Sequence, residues 1–197
     1  MRRAALPASF YARPTRQVAR GLLGHVLLSE LGGRRTAGRI VETEAYLGTH
    51  DPASHGYGAR RTRRNASLFE RPGTAYVYFT YGMHWCLNFV TREAGLPQAV
   101  LVRALEPGPE VGRCSGPGLV TRAMGIDGAL NGALLAPPDL YVVDDGARRR
   151  RVFVTPRIGV QGTGRWEKRL LRYAVDSPAL SRPLRRGPVR RKRIKAI

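Results

Sequence analysis

Lysine, acid and cysteine are all scarce in this sequence. Only Lys168, Lys192 and Lys195 break an otherwise all-arginine set of 34 basic residues, and only 14 residues are Asp or Glu. The formal net charge is therefore +20 and the sequence pI about 11.4. The two cysteines, Cys86 and Cys114, fit neither a CxxC nor a zinc-ligand spacing, and two thiols make no disulfide framework. Idle or buried thiols in a reducing cytoplasm are the expectation. No stretch approaches the roughly 18 consecutive apolar residues of a membrane span. The opening "MRRAALPASFYARPTRQ" lacks a continuous apolar core, which argues against a secretory signal. "GTGRWEKR" lacks the spacing of a phosphate-binding loop, and no Ser-His-Asp arrangement is readable from spacing. His25, His50, His55 and His84 form no metal-ligand pattern.

What is present in excess is arginine. Its planar fork pairs with phosphate at two points and stacks on flat rings, which the point charge of lysine does not do. Arginine-rich codon usage explains the choice of Arg over Lys, but not an unbalanced +20. Such an imbalance points to a polyanion, above all nucleic acid.

At 197 residues, 43% of them hydrophobic, the chain suits one domain with a core of its own. "RPTRQVARGLLG" (13–24) reads as a helix with Pro14 near its start and Gly24 as its stop. "HVLLSEL" (25–31) and "AGRIVETEAYLG" (37–48) read as an antiparallel hairpin around Gly32-Gly33. Residues 49–73, rich in Gly, Ser and Arg, read as an irregular functional loop. "TAYVYFTYGMHWCLNFVT" (74–91) reads as a second hairpin, and "AVLVRALEP" (99–107) as a strand. "GPGLVTRAMGI" (116–126) reads as a helix closed by Gly125. "DLYVVDDG", "RRVFVTPRIGV" and "RLLRYAV" read as further strands. Hairpins rather than long crossovers imply a mixed α/β (α+β) domain around an antiparallel sheet. From Arg182 the chain carries eight basic residues and no acid, a pattern expected of a disordered arm.

Two places invite chemistry. In "GRIVETEAYLG" the alternation of a strand puts Ile40, Glu42, Glu44 and Tyr46 on one face, and Val41, Thr43 and Ala45 on the other. Those carboxylates are the best acid–base pair in the chain, although a solvated strand face is the plainer reading. In the second hairpin, Tyr76, Tyr78 and Thr80 share a face, and a turn at Gly82-Met83 sets Asn88 within one position of facing Tyr78. Taken singly these tyrosines are ordinary strand residues, but Tyr81 falls at the hairpin tip. A ring exposed there in so basic a chain is a candidate wedge between base steps.

Taken together, "RIVETEAYLG", "DPASH", "RRNASLFERPGTAYVYFTYGMHWCLN" and "VLVRALEP" closely resemble the alkyladenine (3-methyladenine) DNA glycosylases. Weaker matches run on through "CSGPG", "RAMGID", "PRIGV" and "LRYAV", so the resemblance spans about residues 10–182. It implies a single compact domain, here 1–183, built on a curved antiparallel sheet with a protruding hairpin and peripheral helices, followed by a basic arm, 184–197. It implies a monofunctional hydrolase without metal or cofactor, acting as a monomer on duplex DNA in the cytoplasm, at the nucleoid. Such an enzyme cuts alkylated or deaminated purines from their sugars.

Position by position, the resemblance implies that Glu44 is the general base and that Arg103 helps it hold the attacking water. Tyr46 and Tyr78 stack on the two faces of the extruded base. His55 packs on that base and bonds its edge, Asn88 crowds the purine 2-position, and Tyr81 fills the gap left in the duplex. Physical chemistry agrees with such a set: a base must leave the stack to be cut, at a cost of roughly a few kcal/mol. Its departure leaves an oxocarbenium-like sugar that a carboxylate stabilises. Arg103 beside Glu44 is expected to keep that carboxylate ionised, in a pocket that admits water.

Two departures stand out: Leu119 replaces a lysine common after GPG, and Arg63 replaces a proline. A basic nucleic-acid-binding protein that has kept the fold and lost catalysis is the alternative, against which the complete residue set argues. An RNA- or ribosome-associated protein would account for the charge alone.

Overall fold

The computed structural model describes residues 4–147 and 150–184. The basic arm, 184–197, thus falls, but for Leu184, outside the described residues. Among the described residues, three α-helices, α1 (Ala8–Tyr11), α2 (Thr15–Gly21) and α3 (Pro117–Met124), accompany a sheet of eight strands. These are β1 (Val26–Leu31), β2 (Arg34–Tyr46), β3 (Ala75–Thr80), β4 (His84–Thr91), β5 (Gln98–Pro107), β6 (Leu140–Val143), β7 (Val152–Pro156) and β8 (Leu170–Val175). The main path runs β3-β4-β5-β2-β1-β6, with every pairing antiparallel. The mixed α/β class and the antiparallel sheet are as expected from the sequence.

β2 is the axis of the fold. β5 pairs along one edge of it, while its other edge is shared, residues 34–39 pairing with β1 and residues 42–44 with β8. A strand that parts company with one neighbour and takes up another must curl the sheet. The register against β5 breaks between Ile40 and Thr43, the signature of a bulge. Strict alternation therefore fails there: Ile40 and Val41 both lie in the hydrophobic core. Glu42 and Glu44 are also fully enclosed, at 0% exposure. The solvated-face reading of these carboxylates is thereby excluded.

Helix α2 lies on β2, where the Thr43 hydroxyl donates to the Ala19 carbonyl at 2.8 Å. Val18 and Ala19 of the helix, with Leu22 and Leu23 just after it, are buried in the core. Gly125, at φ 69°, closes α3 in the left-handed conformation that a residue without Cβ adopts at no steric cost. Residues 49–73 contain three short 3₁₀ turns rather than wholly irregular chain. Two side chains fix them. Asp51 accepts the amides of Leu47 and Ala53, and Asn65 donates to the carbonyls of His55 and Arg60 while closing a capping box with Thr62.

Two expectations need correction. The strand anticipated over 150–160 ends at Pro156, because Arg157 turns inward to a buried carboxylate and Gly159, at φ 78°, turns the chain away. In the second hairpin the partners are Tyr78↔Cys86 and Tyr76↔Asn88. Asn88 is thus two positions from facing Tyr78, because the turn at Tyr81-Gly82, both at positive φ, shifts the pairing by a residue.

Candidate active site

A cavity of about 230 Å³ opens between the second hairpin, the loop after β2 and the turn after β7. Tyr46, His55, Tyr78, Tyr81 and Asn88, drawn from three separate segments, all line it. Their convergence is a product of the register: Tyr76, Tyr78, Cys86 and Asn88 stand as two cross-strand pairs on one face of the hairpin. Asn88 is buried and donates to the Tyr76 carbonyl at 3.2 Å, which fixes its amide.

The aromatic wall is held by polar groups behind it. The Tyr76 hydroxyl lies 2.7 Å from Nδ1 of His55, and the His55 ring meets Tyr78 edge-on at 4.5 Å between centroids. Partial desolvation first, and the charge of Arg64 second, lower the pKa of His55 and so favour the neutral imidazole. Burial drives the Tyr76 and Tyr78 phenols well above their ordinary range, so both remain protonated.

Tyr46 is fixed on two sides. Its hydroxyl donates to Glu44 Oε2 at 2.9 Å, and the Arg157 guanidinium lies 4.6 Å over its ring. Arg157 in turn donates to both oxygens of Asp51, at 2.6 and 2.8 Å, and to the Ala45 carbonyl at 3.1 Å. Both side chains of this ion pair are fully buried. One ring face of Tyr46 is thus covered by a cation.

Glu44 and Arg103 stand behind the lining, not in it. Glu44 Oε1 accepts the Ile158 amide at 2.8 Å, while Oε2 takes the Tyr46 hydroxyl and, at 3.3 Å, a terminal nitrogen of Arg103. Its full enclosure corrects the expectation of a pocket that admits water to the carboxylate: the Ile158 turn covers it. The expectation for its charge also shifts. Burial is the largest influence and raises the pKa of Glu44; Arg103, the Ile158 amide and the Tyr46 hydroxyl oppose it without overcoming it. A carboxylate so raised is a stronger proton acceptor than an ordinary surface glutamate, provided it is ionised.

Tyr81 occupies the extreme of the hairpin, 86% exposed, with Met83 68% exposed beside it. Its backbone sits at φ 51°, a conformation rare for a residue with a side chain, and Gly82 follows at φ 65°. The two departures noted above, Arg63 and Leu119, are not among the residues that line the cavity.

Residues that sequence reasoning missed are the supports: Asp51, Tyr76 as a partner of His55, Arg157 and Arg172. Only Asp51 gave a local signal, as an acid opening the turn "DPAS". The others act through partners distant in the chain. Among the described residues, no group of three or more His, Cys, Asp and Glu gathers as a metal site, and no helix is long and apolar enough to cross a membrane.

A carboxylate set against an aromatic cavity, in an arginine-rich chain with an exposed ring at a hairpin tip, equips an enzyme for an aromatic ring carried by a polyanion. The family model that matches is described as Methylpurine-DNA glycosylase (MPG), and it covers residues 9–179. The chain is 46% identical over 193 residues to a protein of Methanocella arvoryzae, a match spanning 90% of this chain and 96% of that one. It is 48% identical over 184 residues to one of Anaeromyxobacter dehalogenans, across 90% and 86% of the two chains. A third, from Desulfitobacterium hafniense, is 42% identical across 79% and 87%. All three bear the name "Putative 3-methyladenine DNA glycosylase". The chain belongs to the methylpurine-DNA glycosylase family. It is accordingly a DNA glycosylase, a hydrolase of DNA repair whose substrate is DNA.

Proposed function

We propose that this enzyme, acting as a monomer at the cytoplasmic nucleoid, extrudes alkylated or deaminated purines from duplex DNA and hydrolyses their N-glycosidic bonds. The bases in question are 3-methyladenine, 7-methylguanine, hypoxanthine and ethenoadenine. One observation carries the reading: the hydroxyl of a cavity-lining tyrosine, Tyr46, is bonded to a buried carboxylate, Glu44, that burial has made more basic.

The extruded ring enters between Tyr46 and Tyr78, whose faces attract neutral and cationic heterocycles alike. Arg157 backs Tyr46 so that the ring does not tilt as the base arrives. Neutral His55 meets the base edge, Asn88 stands against the purine 2-position, and Tyr81 takes the vacated place in the stack. As the bond to the sugar lengthens, positive charge grows on the sugar, and Glu44 opposes it electrostatically. Glu44 then removes a proton from the attacking water, which Arg103 helps to hold. Water reaches the carboxylate when Ile158 releases Oε1, so the turn after β7 yields on binding DNA.

The test is direct. Duplexes carrying each of the four lesions are incubated with the enzyme and abasic sites are scored by alkaline cleavage. Excision of at least one lesion is expected, and failure on all four overturns the proposal.

A further inference from the structure

Glu42 is as deeply buried as Glu44 and, like it, stands outside the cavity lining. Its carboxylate gathers four donors. Oε1 accepts Nε of Arg172 at 2.7 Å, the Ser181 hydroxyl at 2.6 Å and Nε of Arg103 at 3.2 Å; Oε2 accepts the Ser181 amide at 2.7 Å. The same Arg103 gives a terminal nitrogen to Glu44. One rigid, planar guanidinium therefore spans both carboxylates, and where its Nε is held its other nitrogens are held too.

Ser181 lies on the segment that follows β8 and comes back across the sheet. This strap is tied a second time where Arg172 donates to the Arg182 carbonyl at 2.7 Å. Leu180 already packs on the core, so fastening the strap does not by itself require buried charge. Burying a carboxylate between two arginines is seldom the most stable solution, and apolar residues of similar volume generally do as well or better. The contact that this charged cluster makes with the site is Arg103 on Glu44.

We infer that Ser181 is a positioning residue of the glycosylase. By satisfying both oxygens of Glu42 and by accepting Nε of Arg103 on its own hydroxyl at 3.4 Å, it sets where Arg103 sits between the two carboxylates. The inference rests on the reading of Glu44 as the base. Without the serine hydroxyl, Arg103 Nε loses its second acceptor and Glu42 Oε1 loses a short hydrogen bond, so the guanidinium closes on Glu42 alone. Glu44 then loses the influence that most opposes its burial. The charged or titratable groups around Glu44 are Glu42 and Tyr46 on β2, Arg103 on β5, Arg172 on β8, Tyr78 on β3 and Arg157 after β7. Ser181→Ala changes the charge of none of them and moves chiefly Arg103.

The experiment compares full-length wild type, Ser181→Ala and Ser181→Thr in single-turnover excision across pH, alongside affinity for an abasic-site duplex. Ser181→Ala is expected to lower the rate by about tenfold, the scale of one hydrogen bond to a charged group, and to move the acid limb of the profile to higher pH. Abasic-site affinity stays unchanged, and Ser181→Thr, which keeps the hydroxyl, restores both rate and profile. An unaltered alanine variant overturns the inference. So does a loss of equal proportion at every pH, which is the mark of a merely loosened fold, or a threonine variant that restores nothing. A wild type that excises no lesion overturns the parent reading as well, whereas an active wild type with a normal alanine variant overturns this inference alone.

Discussion

Replacing Tyr81 by alanine tests the wedge without disturbing the rest of the molecule. The side chain is 86% exposed, so its removal opens no cavity, and the folded protein should keep its stability to within about 0.5 kcal/mol. The backbone at φ 51° is no easier for alanine than for tyrosine, so Tyr81→Gly separates any strain from loss of the ring. In the complex the loss is one aromatic ring from the base stack, roughly 1–3 kcal/mol. That corresponds to a fall of about one to two orders of magnitude in the extruded fraction. The effect should be greatest for hypoxanthine in duplex DNA, which still pairs and resists opening. It should nearly vanish for hypoxanthine in a single strand, where no partner stack needs filling. Single-turnover excision on both substrates gives the answer. Equal losses on duplex and single strand would refute the wedge and place the action of Tyr81 at the cavity mouth, which it also lines.

The remaining predictions concern the interior and the tail. Glu44→Gln keeps the shape of the side chain but removes the base, so excision should disappear while binding to an abasic-site mimic survives; a larger loss from Glu42→Gln would reassign the base. Because burial raises the pKa of Glu44 and ionised Glu44 is the active form, wild-type excision should fall as pH drops through a value above the ordinary glutamate range. A flat acidic side of the rate profile would contradict that. Asp51→Asn leaves the fully buried Arg157 half-paired, and about 3–5 kcal/mol of stability should be lost in denaturant titration, with excision reduced because Tyr46 loses its backing. Deleting residues 184–197 should flatten the salt dependence of DNA binding, by about 0.9 in slope for each phosphate no longer neutralised, and weaken damaged and undamaged duplexes alike.

Much of the fold was legible because its signals are local. Hairpin turns, glycine stops and β-rich runs gave every strand and α2 and α3 within a few residues, apart from the overlong seventh strand. That strand was misread because Val-Phe-Val-Thr-Pro-Arg-Ile continues the apolar pattern, and only the distant Asp51 diverts Arg157 from it. The seven candidate residues came from a long ordered resemblance, and the cavity gathers five of them. The burial of Glu44 was not legible, because β8 beside it and the Ile158 amide over it both come from far down the chain. Nor does anything near Ser181 in the chain announce that it sits against Glu42.

The division of labour between β2 and the hairpin has a bearing on how such an enzyme changes over time. The proposed base is set into the most constrained strand of the sheet, where a substitution disturbs several neighbouring strands and segments at once. Apart from Tyr46 at the end of β2, the groups proposed to judge the purine sit on the cavity-facing side of the hairpin and on the loop after β2, where His55 and Tyr81 reach solvent. Selection acting on the arm and the loop can therefore widen or narrow the range of lesions in small steps, while the hydrolytic chemistry is inherited unaltered. A library confined to Ala53, His55, Tyr78, Thr80 and Tyr81, which line the cavity without being buried in the core, would sample new specificities while spending few variants on unfolded chains.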